Sequence, residues 1–321
     1  MISEPCFQSL PVHASHDQQD AIYVRRLLDF QGCLRLSDLP AALGSKAICR
    51  LEGLGDGLTT LAFHSDDVDQ DIIDTIMNFR LAQFLKIGLM SASLARRRNL
   101  LREPVNGLEN TIHAITLDAE GRIYGYLALV GSSIHRGKTL DDPARPRLPV
   151  EEAHHVELLS SFANPRLTIG DAWELKRFVR ASQTPTGAVR DRVPWHLIVS
   201  VGRVVLARTD IQIMVGDSKP EGALKHLSLA GFDPLVYPDT LPSLSHDHLM
   251  WPSYEQASVA QPFVTLIPEY LDSFVNLIAL HLRDGGRQGW QRELVLKLQA
   301  LRRSEPRLLA IREGEGTVSR G

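Results

Sequence analysis

The 321-residue sequence is 44% hydrophobic, enough to bury a core in one large domain or two modest ones. Its formal net charge of −3 gives no overall field that would attract nucleic acid or an anionic membrane. The three cysteines lie far apart without a CxxC pair and support neither a disulfide framework nor a cysteine zinc site, so a reducing cytoplasm is the simplest compartment. No run of about 18 uninterrupted apolar residues is present, so no transmembrane helix is expected.

Residues 1–65 are predicted to form an N-terminal extension. Residues 1–20 are polar and are expected to be poorly ordered, and Ala21–Leu28 suits either a helix or a strand. Gly53, Gly55 and Gly57 form a GxGxG pattern, but its spacing differs from the dinucleotide fingerprint and no clean strand and long helix flank it. The pattern therefore predicts a plain loop.

A helix, a hairpin and a series of alternating strands and helices are predicted within residues 66–240. Apolar residues from Asp69 to Ile87 recur at spacings of three and four, which indicates a helix. The turn Asp118–Gly121 joins two predicted strands, Thr111–Leu117 and Arg122–Val130. After a long loop, the expected elements are a strand at 172–179, a helix at 195–207 starting at Pro194, a strand at 211–215, a helix from Ser218 to Gly231 and a strand at 232–237.

Residues 241–321 are predicted to form a C-terminal helical extension. The chain from Pro238 to Pro262 is expected to be a loop. One helix then starts at Pro268 and ends at Gly285, and another starts at Trp290. Each helix has one apolar face, which suits either a cover over an apolar pocket of the preceding domain or a homodimer surface.

The predicted strand at 172–179 is unusual because it carries two charged residues, Glu174 and Arg177. Strand alternation places Glu174 and Lys176 on one face and Arg177 and Val179 on the other, unless a β-bulge intervenes. A carboxylate such as Glu174 can act as a base towards an amine, directly or through water. Arg177 can hold Glu174 ionised, pair with a donor or bind an acceptor carboxylate. The alternative is a structural ion pair that braces the sheet.

Two stretches resemble motifs of acyl-homoserine-lactone synthases, which are GNAT-like acyltransferases. The run from Trp173 to Val179 resembles their Glu-x-x-Arg strand, and Arg80-x-x-x-Phe84 resembles the Arg-x-x-x-Phe of their first helix. The run Val215–Phe232 is similar to their strand, helix and Gly-aromatic ending. The resemblance covers about residues 70–240. It implies an α+β, GNAT-like mixed central sheet flanked by helices, with an N-terminal extension and a C-terminal helical addition.

The sequence departs from the synthases in two places. No Trp follows Gly88, where the basic run Arg96–Arg102 occurs instead, and the second hairpin strand lacks their usual Arg. Long-chain N-acyl amino acid synthases therefore fit at least as well. The resemblance implies transfer of a fatty acyl group from acyl carrier protein (ACP) or coenzyme A (CoA) to the amine of an amino acid or related small metabolite, without a metal or other cofactor. The alternative is a non-catalytic GNAT-like protein that binds an acyl carrier or regulates a partner.

In such a fold the strands at 173–179 and 211–215 would splay apart, leaving backbone groups for pantetheine and an apolar pocket for the acyl chain. The helix N-terminus near Ser218 offers N–H groups to phosphate, whereas Asp217 would repel pyrophosphate, so ACP is a credible donor beside acyl-CoA. The expected catalytic residues are Glu174 and Arg177, and the expected substrate-binding residues are Arg80, Phe84, Trp173, Phe178, Val179, Val215 and Ser218.

Histidines and arginines outside these motifs leave further alternatives. The pairs His154-His155 and His246-x-His248 suggest a metal-dependent enzyme, but they lack the helical i, i+4 spacing of zinc proteases, so polar-surface histidines are the default. His113 on a hairpin strand is expected to be a core residue rather than a base. Arg96–Arg98 with Arg102 would either dock an acidic carrier protein or form a solvated helix face.

Overall fold

The computed structural model describes residues 15–104, 110–132, 136–161, 166–183, 187–240, 242, 244–255, 260–284 and 289–304. Its strands are β1 (Cys49–Leu51), β2 (Thr59–His64), β3 (Thr111–Leu117), β4 (Ile123–Gly131), β5 (Ala172–Arg180), β6 (Ile213–Ser218), β7 (Leu235–Val236) and β8 (Gln261–Leu266). Its α-helices are α1 (His16–Cys33), α2 (Leu39–Leu43), α3 (Gln70–Lys86), α4 (Ala92–Arg97), α5 (Pro149–His154), α6 (Gly187–Ala207), α7 (Lys225–Leu229), α8 (Pro252–Glu255), α9 (Leu271–Asp284) and α10 (Trp290–Ser304).

The strands form one mixed sheet in the order β1-β2-β3-β4-β5-β6-β8-β7. Neighbouring strands are antiparallel except β5 and β6, which are parallel. The predicted α+β fold, a mixed central sheet with flanking helices, is confirmed. β1 and β2 precede residue 66 and β8 follows residue 240, so the boundaries expected at 65/66 and 240/241 fall within this one sheet. Within the described residues, no helix is long and apolar enough to span a membrane.

Helices cover both faces of the sheet. On the face that we call the α3 face, Arg80 of α3 reaches Tyr126 of β4, and Gln83 of α3 contacts Gln31 of α1. On the opposite face, the α6 face, a Cβ at Gly125 of β4 would lie 2.4 Å from Val193 of α6. α9 packs against α6, where a Cβ at Gly202 would lie 2.4 Å from Val275. A site in the sheet would therefore be next to different helices on its two faces.

The long segment before β5 covers the α3 face of β6 and β8. Its apolar residues pack with Val215 and Val264 in a separate cluster. A buried ion pair fixes the segment, because Arg145 donates to both carboxylate oxygens of Glu151 at 2.7 and 2.8 Å. Glu151 also accepts bonds from three backbone N–H groups. This arrangement holds α5, and with it His154, close to the end of β6.

Three local expectations were wrong. α1 begins at His16 within the stretch expected to be poorly ordered, because Ser15 and Gln18 form a capping box. α6 begins at Gly187, not at Pro194; the carbonyl of Arg190, which Pro194 cannot bond, accepts from Arg180 at 3.2 Å. β8 occupies the end of the expected loop, and its proline lies near the strand start, where prolines are tolerated.

The hairpin of β3 and β4 is confirmed, and its turn gives a stability prediction. Gly121 has φ +78°, and a Cβ there would lie 2.2 Å from the backbone nitrogen of Ser37. Gly57 has φ +73° but no atom within 4 Å of such a Cβ. Gly121→Ala should lower the free energy of unfolding by roughly 2–5 kcal/mol, from left-handed strain plus collision, whereas Gly57→Ala should cost only about 1–2 kcal/mol. Urea unfolding of both variants measures the difference; equal losses would contradict the collision.

Candidate functional site

β5 and β6 form a fork. They pair only from Ala172 to Leu175 on β5, with Ile213 to Gly216 on β6. Beyond these residues β5 continues to Arg180 and β6 to Ser218 without pairing to each other. Gly216 lies at the branch point, where a Cβ would be 2.8 Å from the carbonyl oxygen of Leu175. The pairing of β5 with β6 therefore ends within the two strands that the sequence predicted to splay.

A β-bulge in β5 begins at the same point. Ala128 of β4 pairs with Lys176, whereas Tyr126 pairs with Val179, so Arg177 and Phe178 lie opposite a single residue. Arg177 has φ +61°, a left-handed conformation that costs a non-glycine residue about 1–2 kcal/mol. The bulge turns Arg177 to the α3 face, the face that Glu174 and Lys176 occupy. The expectation from simple alternation, that Glu174 and Arg177 face opposite ways, is wrong.

Arg177 is held by a buried carboxylate that sequence reasoning missed, Glu103. Its side chain is 5% exposed and accepts from Arg177 Nε and Nη2 at 3.1 and 2.9 Å. Arg80 Nε donates to the second oxygen at 2.8 Å. Burial alone would raise the pKa of Glu103, but the charges of Arg177 and Arg80 outweigh it and lower the pKa. The predicted residues Arg80 and Arg177 therefore share one carboxylate.

The polar network continues across the α3 face. Arg80 Nη1 donates to the Tyr126 hydroxyl at 3.4 Å, and His113 Nδ1 lies 2.8 Å from the same hydroxyl. His113 Nε2 lies 2.9 Å from the Ser65 hydroxyl. Burial lowers the pKa of His113 to about 3, so the ring is neutral. His113 is thus a buried, hydrogen-bonded residue of the sheet, as predicted.

Glu174 lies at the base of the fork with one oxygen unsatisfied. Its side chain is 5% exposed, and its Oε1 is 3.2 Å from Lys176 Nζ. Its Oε2 is buried without a hydrogen-bond partner among the described residues. Burial raises the pKa of Glu174; the positive charge of Lys176 opposes this rise and the negative charge of Asp217 adds to it. A buried oxygen of this kind is costly to leave unpaired, so it is suited to receive a proton from a ligand.

Asp217 lies on the other arm of the fork, one residue beyond the last paired position. It accepts from the Tyr254 hydroxyl at 2.6 Å and lies 3.3 Å from His154 Nε2. His154 Nδ1 is 2.9 Å from the Thr240 hydroxyl. Burial would raise the pKa of Asp217, but the bonds from His154 and Tyr254 outweigh it and lower the pKa. Asp217 is therefore an ionised, hydrogen-bonded neighbour of Glu174. The sequence singled out Asp217 and His154 for other roles and missed Tyr254.

The other predicted site residues lie on both faces. Phe84 stacks on Arg177, with the guanidinium carbon 5.7 Å from the ring centroid. Val179 and Val215 are buried on the α3 face. Trp173 is fully buried with Arg208 over its ring at 4.9 Å, and its Nε1 has no partner among the described residues. Phe178 lies on the α6 face.

Ser218 does not leave a free helix terminus for phosphate. Its hydroxyl accepts from the backbone N–H of Ala223 at 2.9 Å and donates to the carbonyl of Lys219. A π-helical turn at Pro220–Leu224, with non-helical Gly222, separates Ser218 from the five-residue α7. Two backbone N–H groups near this terminus, those of Gly222 and Ala223, are therefore already bonded within the protein.

The structure also describes residues of the two remaining alternatives, a metal site and a basic surface that docks a carrier protein. Among the described residues, no group of three or more His, Cys, Asp or Glu could hold a metal ion. In the basic run, Arg96 pairs with Asp20, Arg102 with Asp74, and Arg98 donates to a backbone carbonyl. Arg97 is exposed on α4. The run is thus partly neutralised.

A surface groove of about 420 Å³ lies apart from the fork cluster. It is lined by Pro220, Leu224, Lys225, Ser228, Asp233, Pro234, Val236, Pro238 and Gln261. None of these belongs to the Glu174, Arg177 and Asp217 cluster. The chemistry-bearing groups therefore place the candidate site at the fork and not in this groove.

Comparison with known proteins finds similar solved structures at low identity. Neither the protein-family models nor the curated proteins match this sequence. TofI in an apo form has a TM-score of 0.40 and 13% identity, over 68% of this chain and 95% of TofI. MesI, a CoA-dependent acyl-homoserine lactone synthase, has a TM-score of 0.37 and 14% identity, over 65% and 88%. Ribosomal-protein-S5-alanine acetyltransferase from Vibrio fischeri has a TM-score of 0.33 and 11% identity, over 68% and 94%. The roles of residues in this chain are therefore argued from its own geometry.

Proposed function

We propose that the protein is an N-acyltransferase that moves a fatty acyl group from acyl-ACP or acyl-CoA to the amine of an amino acid or related small metabolite. The observation that carries the proposal is the fork with Glu174 at its base. A buried carboxylate with one unsatisfied oxygen lies where two parallel strands separate. Both requirements of thioester aminolysis, a slot for the donor and a base for the acceptor, meet there.

The diverging strands provide the donor slot. Backbone N–H and C=O groups on the facing edges of β5 and β6 lose their ladder partners beyond Leu175 and Gly216. Such groups need new partners. The two amides of a pantetheine arm, shared by ACP and CoA, can pair with a strand edge as an added strand does. The thioester carbonyl then lies beside Glu174.

Glu174 is the proposed base for the acceptor. An amine reaches the site as an ammonium ion and must lose a proton before its nitrogen can attack. Burial raises the pKa of Glu174 above that of an ordinary carboxyl group, which makes its carboxylate a stronger base near neutral pH. Its unpaired Oε2 can accept the proton directly or through a water molecule. Lys176 holds the other oxygen and fixes the orientation of the group.

Arg177 is the proposed support for the acceptor. Glu103 engages its Nε and Nη2, whereas Nη1 has no hydrogen-bond partner among the described residues. The side chain is 24% exposed, on the same face as Glu174. An acceptor with a carboxylate beside its amine could therefore place one group at each residue. This arrangement fits an amino acid.

The proposal predicts amide formation by the purified protein. Acyl-CoA and acyl-ACP of several chain lengths are incubated with a panel of amino acids and small amines. Free thiol and N-acyl product are then measured by absorbance and mass spectrometry. We expect equal amounts of thiol and amide with at least one pair, and no amide with the same acceptor N-acetylated.

Two results would count against this function. Thiol release without any amide would make the protein a thioester hydrolase. Binding of an acyl carrier without thiol release from any donor, with every acceptor, would favour the alternative, a non-catalytic carrier-binding protein.

A further inference from the structure

His226 of α7 lies across the fork on the α6 face, opposite Glu174. α7 follows β6, and the imidazole contacts Phe178 on the diverging part of β5, with ring centroids 5.5 Å apart. Trp195 of α6 packs edge-on against the same ring at 5.2 Å. The His226 side chain therefore connects α7, which follows β6, with the diverging part of β5. No role assigned so far uses it.

The hydrogen bonds of His226 fix its tautomer. Nδ1 lies 3.1 Å from the carbonyl oxygen of Gly222, which can only accept, so Nδ1 carries the proton. Nε2 consequently presents a lone pair and has no partner in the described part of the chain. Gly222 departs from helical geometry, with ψ −129°. A Cβ there would lie 2.8 Å from the Ser218 hydroxyl, which explains why a glycine occupies the turn.

The surroundings keep His226 neutral. Burial lowers the pKa of its imidazole, and the positive charges of Lys225 on α7 and Arg180 on β5 lower it further. The carbonyl of Gly222 opposes this shift. Phe178 and Trp195, which pack against the ring from β5 and α6, carry no charge. A neutral imidazole with a free Nε2 is a proton acceptor.

We propose that His226 carries a proton from the attacking nitrogen to the leaving sulfur in the acyl transfer. This inference rests on the function proposed above, which leaves one proton unassigned. An ammonium acceptor has three protons on nitrogen and the amide product has one, so two must leave. Glu174 takes the first before attack, on the α3 face. The second leaves the nitrogen only after the C–N bond has formed, and the departing thiolate needs one proton.

The step balances with His226 as the carrier. The amine lone pair forms the C–N bond and the carbonyl carbon becomes tetrahedral. His226 Nε2 then takes one proton from the positively charged nitrogen. The C–S bond breaks, its electron pair leaves with sulfur, and His226 returns that proton to sulfur. The products are the amide, the free thiol and the one proton that Glu174 passed to water.

The dependence on the leaving group tests this role. His226→Asn keeps a donor for the Gly222 carbonyl near the position of Nδ1 but removes Nε2. Because alkyl thiolates are basic, with a pKa of about 8.5, they depend on proton delivery. We expect His226→Asn to slow amide formation from alkyl thioesters by roughly 100-fold or more. With an aryl thioester, whose thiolate is a much weaker base, the rate of amide formation by the variant should be within roughly 5-fold of the wild-type rate with the same donor. Glu174→Gln should be slow with both donors, because it acts before attack.

Controls separate this role from a structural one. His246→Gln changes a histidine with a side chain 78% exposed and should match wild type with both donors. Wild type should show a shallow dependence of kcat on leaving-group pKa, and both His226→Asn and His226→Gln a steep one. Equal slowing with alkyl and aryl donors, or none with either, overturns the role while the proposed function stands. Failure of wild type to form amide from any donor removes the function and this role together.

Discussion

Replacing Glu174 by Gln should lower kcat for amide formation by roughly 10²–10⁴-fold, the usual contribution of a general base. The substitution keeps the size of the side chain and its place between Val130 and Val215, with which Glu174 pairs. It removes the carboxylate that would take the first proton from the acceptor. Since donor binding depends on the strand edges, KM for the acyl donor should change little. Steady-state thiol release, with amide detection by mass spectrometry, measures both constants.

The pH dependence of activity is a second test of the role of Glu174. A base works only when ionised, so activity falls as the pH drops through its pKa. This fall is the acid limb of the pH profile. Because burial raises the pKa of Glu174, the acid limb lies at higher pH than an ordinary carboxyl group would give. The charge of Lys176 opposes that rise. Lys176→Met should therefore move the limb further towards neutral pH, whereas Glu174→Gln should abolish it.

Glu152→Gln is the matched control for Glu174→Gln. Glu152 is exposed on α5, and the same chemical change there should leave kcat and the pH profile unaltered. If Glu174→Gln retained wild-type turnover, Glu174 would be a structural residue of the sheet. The base would then have to be another group at the fork, such as Asp217, the carboxylate whose charge raises the pKa of Glu174.

Local sequence patterns predicted the elements that local forces determine. The hairpin follows from two apolar runs around a turn whose glycine needs positive φ, and α3 follows from its helical periodicity. β8 is different, because only its place between β6 and β7 makes it a strand. Its proline reads as a strand breaker in sequence. β8 is therefore a strand because of its tertiary pairing, and a single sequence does not show such pairing.

The same distinction applies to the site. The Glu-x-x-Arg and Arg-x-x-x-Phe motifs identified Glu174, Arg177 and Arg80. They did not reveal that the two arginines share Glu103, which is 74 residues before Arg177. The sequence of β5 also gave no sign of where a bulge falls, because Arg177 is not a residue that favours positive φ. The face of Arg177 depends on that bulge, so alternation alone gave the wrong answer.

Glu103 should prove essential for stability, although no motif marks it. Its carboxylate is buried and neutralises Arg80 and Arg177 together. Glu103→Ala would leave the Arg80 guanidinium, 6% exposed, with only the Tyr126 hydroxyl as a partner. Removing one member of a buried ion pair costs about 3–5 kcal/mol, because the remaining charge is unpaired and poorly solvated. We expect the free energy of unfolding in urea to fall by that amount.

The exposed pair of Arg147 and Glu157 supplies the control. Both side chains are about half exposed, so Glu157→Ala should cost roughly 0–1 kcal/mol. If Glu103→Ala cost no more than this, the buried triad would not stabilise the fold. The double variant Glu103→Ala with Arg80→Leu identifies the cause of the loss. It leaves position 103 as in Glu103→Ala and removes the Arg80 charge, so it should be more stable than Glu103→Ala if an unpaired Arg80 causes the loss, and no more stable if lost packing at position 103 does. Both variants leave Arg177 without the Glu103 carboxylate. The stability of the α3 face and the position of Arg177 at the fork therefore depend on the same residue.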